Sequence, residues 1–587
     1  MIATHSLPVD AFMELASGAG DSVVVRQLRE AQLSKHLMLL RAVAEAADSV
    51  QPPSRSTAAF RAGYRLLEEV RSADPAAVAR QLTLPQVGSW AHDCLAGLVR
   101  GTVPDFGYLA AAAAVAAISP GIGFEIDVPV TDGRVLLPGL GCLEVGGQAD
   151  WITLSSDGKR LHAGEHIALE CAALVPDDGA TPPVPNWRGT PLVRSVADGQ
   201  TWEVLLETAD KHLDRYELPM LTTMTAAEVT TWRDRFQSAW ELLVRQHDWA
   251  AGPIAEGVTV IVPLTPRSDL DSATSPAAFG AVATSLPPSA VRMAEAMVHE
   301  FQHIKLCGLM DMLPLVEPSA DRGYAPWRDD PRPMEGMLQG VYAFTGVMRF
   351  WDVQRHREAD PDAILRASVL YERWRLAIET VTGALLASGC LNPLGTRFVA
   401  ELKERGRCPR SAAVPEEAAE IAREIALDNE LTWQLSHRTL DASEVAALAD
   451  AYRGGEPLGR RALPRAGLED DIRKVDSIAR SRLLNMRGQE PRRYRRLSAS
   501  DLPGLHAADA LLLGGNPGAA LSAYREELAA RPDPAAWIGL ALAINRLPSM
   551  PLPSACARHL PLLFEIHACL AGQGIHADPL DLADWFE

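Results

Sequence analysis

The chain has no Cys-x-x-Cys pair. Its eight cysteines (Cys94, Cys142, Cys171, Cys307, Cys390, Cys408, Cys556 and Cys569) are scattered over 587 residues, so no iron–sulfur motif or disulfide framework is written into the sequence. Reduced, mostly buried thiols in a cytoplasmic protein are the expectation. Positive charge is in deficit: 56 Lys and Arg against 75 Asp and Glu leave a formal charge of −19. That argues against general binding to nucleic acid or anionic membranes. Long apolar runs are missing too. The longest, Leu109 to Ile118, is mostly alanine and too short for a bilayer. The start, Met-Ile-Ala-Thr-His-Ser-Leu-Pro, lacks the basic and apolar regions of a signal peptide. There is no Gly-rich phosphate loop and no Gly-x-Ser-x-Gly elbow. The composition is otherwise that of a globular protein, and the length calls for roughly three or four domains or subdomains.

The hydrophobic pattern changes period along the chain. Residues 1–119 read as helices, with apolar residues at helical spacing from Val23 through Val43, from Ser56 to Ser72, and in the alanine-rich stretch 108–118. Residues 120–222 carry short runs such as Phe124-Glu-Ile-Asp-Val-Pro-Val and Thr201-Trp-Glu-Val-Leu-Leu-Glu between Gly, Asp and Pro turns, the mark of an antiparallel β-rich insert. A core over 223–395 follows, with a helix from Thr225 to Arg245, a buried strand after Gly257 and a polar loop from Ser268 to Ser285. Its remaining helices are expected from Ser289 to about Met310, from about Pro333 to Arg355 and from Tyr371 to Leu386. The last region, 396–587, is helical, opening with Pro415 to Leu435. About 505–545 it holds one tetratricopeptide-like helix pair with no second copy, which fits a packing hairpin better than a peptide-binding solenoid. The fold class is α+β, predominantly α-helical.

The most specific pattern lies in the core: His299-Glu300-Phe-Gln-His303. On a helix, positions i and i+4 share a face, so both imidazoles can reach one metal ion with Glu300 beside them. Chance would give the pattern in only about 0.03 chains of this length. Two imidazoles need a further ligand. Glu335, on one helical face with Gln339 and Tyr342, would complete a two-histidine, one-carboxylate set, which serves both non-haem iron and zinc. Gln339, Asp311, Glu317 and His356 are the alternatives. Gly336 and Gly340 would permit a close approach by a neighbouring helix. Arg328 and Arg332, with Tyr324 and Trp327 nearby, could hold a dicarboxylate through bidentate guanidinium forks. Lys305 could steer an anion from another face of the motif helix, and Tyr342 completes the candidate cofactor-binding set. His162 and His166 lie in a hairpin, ~13 Å apart by strand rise, and the triplets ending at Asp214 and Asp578 are of the kind expected by chance.

Three stretches carry a resemblance: His5-Ser-Leu-Pro-Val-Asp-Ala-Phe with Ala31-Gln-Leu-Ser-Lys-His-Leu; His299-Glu-Phe-Gln-His-Ile-Lys-Leu-Cys-Gly-Leu-Met-Asp311; and Tyr324-Ala-Pro-Trp-Arg-Asp-Asp-Pro-Arg-Pro with Gly340-Val-Tyr-Ala-Phe. Over most of its length the chain resembles the HExxH-type peptide β-hydroxylases, in their stand-alone form. These enzymes modify ribosomally made precursor peptides and also occur fused to radical-SAM domains. The resemblance implies Fe(II), 2-oxoglutarate and O2 as cofactor and cosubstrates, His299 and His303 as iron ligands, and a precursor peptide as substrate, with a radical-SAM maturase as a further partner. It leaves open the third ligand, the 2-oxoglutarate arginine and whether the chain forms a homodimer. In that reading Glu300 orients a ligand or water. In a gluzincin-like zinc peptidase it would be the general base, and in a non-catalytic maturation scaffold the motif would be structural.

Overall fold

The computed structural model describes residues 5–49, 54–102, 104–147, 149–175, 184–216, 219–266, 272–406, 413–459, 461, 463–470, 473–497, 505–547 and 558–586. The chain is α+β and predominantly helical, and among the described residues no helix is long and apolar enough to cross a membrane. It divides into two compact units, Met1–Pro314 and Leu315–Glu587. The division falls inside the span 223–395 that the sequence suggests as one core.

The first unit opens with helices α1 (Val9–Ala16), α2 (Ser22–Ser49), α3 (Arg55–Ala73), α4 (Pro75–Leu82), α5 (Pro85–Val99) and α6 (Tyr108–Ile118). Every residue of α6 is buried, and its alanines let α3 pack closely on it. The β-rich insert forms two antiparallel sheets. One joins β1 (Phe124–Pro129), β4 (Trp151–Ser156), β5 (Arg160–Ala163) and β6 (Ile167–Glu170); the other joins β2 (Arg134–Leu137), β3 (Gly141–Glu144) and β7 (Trp187–Gly189).

The next two strands, β8 (Leu192–Ala197) and β9 (Gln200–Leu206), leave the insert and enter a five-stranded mixed sheet. Helices α7 (Ala226–Gln246) and α8 (Asp248–Gly257) carry the chain from β9 to β10 (Val260–Pro263), which pairs parallel to β9 and to β12 (Ala281–Thr284). The short strand β11 (Ser272–Ala273) closes the sheet as an antiparallel edge, giving the order β11-β12-β10-β9-β8. The expected loop from Ser268 to Ser285 is thus corrected in its second half: Ala281-Val-Ala-Thr is a fully buried strand. Residues 268–271 lie outside the described set. Only Val282 and Thr284 of its four residues are β-formers, too short a signal by itself; burial between β10 and β11 makes the segment a strand. The sheet leads into α9 (Ala290–Met312), whose start is capped by Ser289 Oγ accepting from Arg292 N.

In the second unit α10 (Met334–Arg357) packs on α11 (Pro361–Ala387), and α11 packs on α12 (Pro393–Gly406) and α13 (Glu416–His437). Towards the end, α14 (Ala507–Leu513), α15 (Pro517–Ala530) and α16 (Pro534–Asn545) form the expected antiparallel hairpin and its lead-in. Arg480, buried, is held there by Asp428 at 2.8 Å, Asp509 at 3.0 Å and the Ala535 carbonyl at 3.0 Å.

Candidate metal centre

The motif falls on α9, where almost every residue is buried. From Met293 onward the half-buried exceptions within the helix are His299, His303, Cys307, Met310 and Met312, with Asp311 exposed. The first four are spaced four, four and three apart, so they form one stripe. Leu306 is fully buried, and the stripe continues through Cys307. The imidazole rings of His299 and His303 stand edge to face, their centroids 4.9 Å apart. Burial, with His303 adding to it, pushes the His299 pKa well below its ordinary value. A neutral imidazole is the form that binds a metal ion, so this ligand is ready without losing a proton.

Glu300 points away from solvent. Its Oε1 accepts from Ser272 Oγ at 2.7 Å, which ties the motif helix to the β11 edge. Burial raises its pKa, against the opposing pull of His303 and the hydroxyls of Ser272 and Thr274. Its second oxygen, Oε2, is buried without a hydrogen-bond partner.

The opposite side of α9 is an anchor. Lys305, suggested by sequence as an anion-steering group, is 3% exposed. Its ammonium donates to the carbonyls of Gly18 (3.2 Å) and Ala19 and lies over the Phe301 ring. Gln302 donates to the same Gly18 carbonyl at 2.9 Å. Asp311 is engaged as well, accepting from Gln32 Nε2 at 2.8 Å and Lys35 Nζ at 2.7 Å. The amino-terminal Ala-Gln-Leu-Ser-Lys stretch and the end of the motif helix thus form one packed seam between α2 and α9.

The remaining candidates belong to the second unit. Glu335 is exposed in the first turn of α10, Gln339 is half-buried, and Tyr342 is buried with its ring 5.5 Å from that of Phe398. Arg328 and Arg332 share one carboxylate: Asp330 accepts from Arg328 Nε at 2.8 Å and from Arg332 Nη1 at 3.1 Å. A dicarboxylate held there would have to displace Asp330. Gly340 leaves room for the Trp327 indole, which an added Cβ would meet at 2.4 Å, and Gly336 faces the Arg332 guanidinium. The space at these two glycines is therefore taken by side chains of the preceding loop. That loop docks on α13, where the Tyr324 hydroxyl donates to Asn429 and His437 Nε2 meets the Asp329 carbonyl at 2.7 Å.

Glu317 is exposed, and exposed His356 turns Nδ1 to the Asp352 carbonyl. His162 sits on β5, one residue after Leu161 and opposite Ala168 of β6, and His166 in the turn that follows. His212 is engaged with Asp93 at 2.9 Å, and His576 with the Ala529 carbonyl at 2.9 Å. Among the described residues no group of three or more His, Cys, Asp or Glu side chains is gathered to hold a metal ion. Outside every motif, the Tyr216 phenol is pushed above its ordinary pKa by burial and then by the charge of Glu300. No protein-family model and no curated protein matches the chain.

Proposed function

We propose that the protein is an Fe(II)- and 2-oxoglutarate-dependent oxygenase that β-hydroxylates a side chain of a ribosomally made precursor peptide. The observation that carries this reading is the stripe on α9, where two imidazoles converge on a half-buried face while the rest of the helix is locked in place. The donor pair fits a first-row divalent ion, since neutral imidazoles suit iron and zinc alike. Bound by His299 and His303, the iron would supply oxygen activation with 2-oxoglutarate as the source of two electrons.

The chain's own residues do the positioning. Ser272 fixes the rotamer of Glu300, so that carboxyl is placed to orient a group beside the histidines. Buried Met297, Val298 and Phe301 pack the other faces of α9 and so fix the helix that presents the two imidazoles. The β11 edge, next to Glu300, offers main-chain groups to an extended peptide, a recognised way of binding such chains. Glu335 and the Arg328–Arg332 pair, which the sequence suggests as third donor and carboxylate clamp, belong to the second unit and are tested separately from the histidines. If Glu335 is a donor, Glu335→Ala should lose Fe(II) affinity and activity together, and unchanged affinity and activity would remove it from the donor set.

A second reading, a zinc peptidase, is favoured by one feature: the open Oε2 of Glu300 could take the proton of a metal-bound water. Anaerobically purified protein, incubated with Fe(II), 2-oxoglutarate, air and the precursor peptide from a neighbouring gene, separates the two. Peptide heavier by one oxygen atom, with succinate, supports the oxygenase; peptide cleaved in the presence of zinc supports the peptidase.

A further inference from the structure

Arg373, on α11 in the second unit, is a half-buried cation. Its guanidinium lies over the Trp374 ring at 4.8 Å and donates through Nη1 to Asn485 Oδ1 at 2.8 Å. Stacking occupies the flat face of the guanidinium and leaves its remaining N–H groups directed outward in the plane. Among the described residues no carboxylate forms an ion pair with it. Burial lowers its pKa, and the nearby Tyr324 phenol opposes the shift. A cation taken partly out of water without a counter-ion is costly, so the position calls for an anion.

A cleft of about 30 Å³ lies against Arg373, between α11, α13 and the segment at Tyr324, with Thr380, Asn429 and Glu430 on its walls. The polar groups that face it are mainly donors. The Tyr324 hydroxyl donates to Asn429 Oδ1, which leaves Nδ2 as the unengaged end of that amide. The Thr380 hydroxyl is likewise unengaged among the described residues. The acid on the wall, Glu430, accepts from Gln434 Nε2 at 3.2 Å, and burial raises its pKa towards the neutral form.

We propose that this cleft binds one small monovalent anion, held by Arg373 together with Asn429 Nδ2 and the Thr380 hydroxyl. The donors select the charge: a cation would meet the guanidinium, and water would leave its charge unbalanced. The space selects the size. It has room for about two water-sized atoms, enough for chloride or one carboxylate group and too little to enclose a phosphate ester or a dicarboxylate. Bound there, the anion ties α11 to α13 and to the Tyr324 segment, and its binding requires no metal at α9.

The test has two arms. Crystals soaked in sodium bromide should show an anomalous peak within hydrogen-bond reach of the Arg373 guanidinium and Asn429 Nδ2, and Arg373→Gln crystals should lack it. In solution, thermal melting is followed at constant ionic strength while methanesulfonate, too bulky for the cleft, is replaced by chloride or by acetate. One of the two should raise the melting temperature of the parent by about 2–4 °C and leave Arg373→Gln, which keeps a donor for Asn485, unmoved. A larger rise with chloride assigns the cleft to a halide, and a larger rise with acetate assigns it to a carboxylate. No bromide peak in the parent, a peak that survives in Arg373→Gln, or equal shifts in the two proteins overturns the proposal. If Arg373→Gln does not fold, the parent crystals decide alone.

Discussion

His299 and His303 can share one ion because they lie four residues apart on a helix whose other faces are filled. His299→Ala or His303→Ala should each abolish tight metal binding while leaving the melting temperature of the metal-free protein almost unchanged, since both rings are only half-buried. Metal content after dialysis checks this. Gly340 makes a second residue-level prediction. A Cβ there would meet the Trp327 indole at 2.4 Å, so Gly340→Ala should cost roughly 1–3 kcal/mol, read from the denaturant midpoint. A third concerns Glu207, 1% exposed, with Oε2 unpartnered and a pKa pushed from 4.5 to about 7 by burial and then by Asp210. A carboxyl whose folded pKa is raised contributes stability that is full below the unfolded value and lost as pH rises through the folded one. Glu207→Gln should therefore gain on the parent by roughly 3 kcal/mol above pH 7, and the gap should close below pH 4.5. Urea titrations across that range measure it.

At the scale of elements, the helices were legible in the sequence because their signals are local. Thr225 with Glu228 forms a capping box, Ser289 follows two prolines, and apolar spacing carries α9 and α10 through whole turns. The strand β12 was not legible, since four small residues gain their role only from the strands on either side. Nor could alternation show that β9 pairs with β10, taking β8 with it, rather than with the insert before them; sheet membership is decided by partners more than fifty residues away. The site was legible in the same measure. The i, i+4 histidines announce themselves, whereas Ser272 reaches Glu300 only through the fold and carries no pattern of its own. The Lys305 ammonium looked available in sequence because helical spacing fixes a face and not what covers it. Its anchoring role leads to a fourth prediction: Lys305→Met should loosen the turn between α1 and α2, seen as faster hydrogen exchange at Gly18 to Val24 with metal affinity retained. In the carboxyl-terminal helices, Arg480→Met would leave Asp428 and Asp509 buried without their cation. The loss should be roughly 3–5 kcal/mol, measured by thermal or denaturant unfolding.

For the molecule as a whole, the two units divide the work suggested by the sequence. The first holds the histidine stripe, Glu300 and the sheet edge. The second holds Glu335 and the arginine-bearing loop, whose distinctive residues are engaged by α13 and by Asp330. The resemblance to peptide hydroxylases thus rests on stretches that, in large part, build the packing: Gln32 and Lys35 on Asp311, Tyr324 on Asn429, Trp327 on Gly340. The central claim is that the α9 stripe holds a metal ion that oxidises a peptide. Its most direct test is the mass of the precursor peptide after incubation with the protein, Fe(II), 2-oxoglutarate and air. The account predicts a peptide heavier by one oxygen atom and one succinate per modified peptide, both absent with His299→Ala. A peptide of unchanged mass, or one cleaved into fragments, would contradict it.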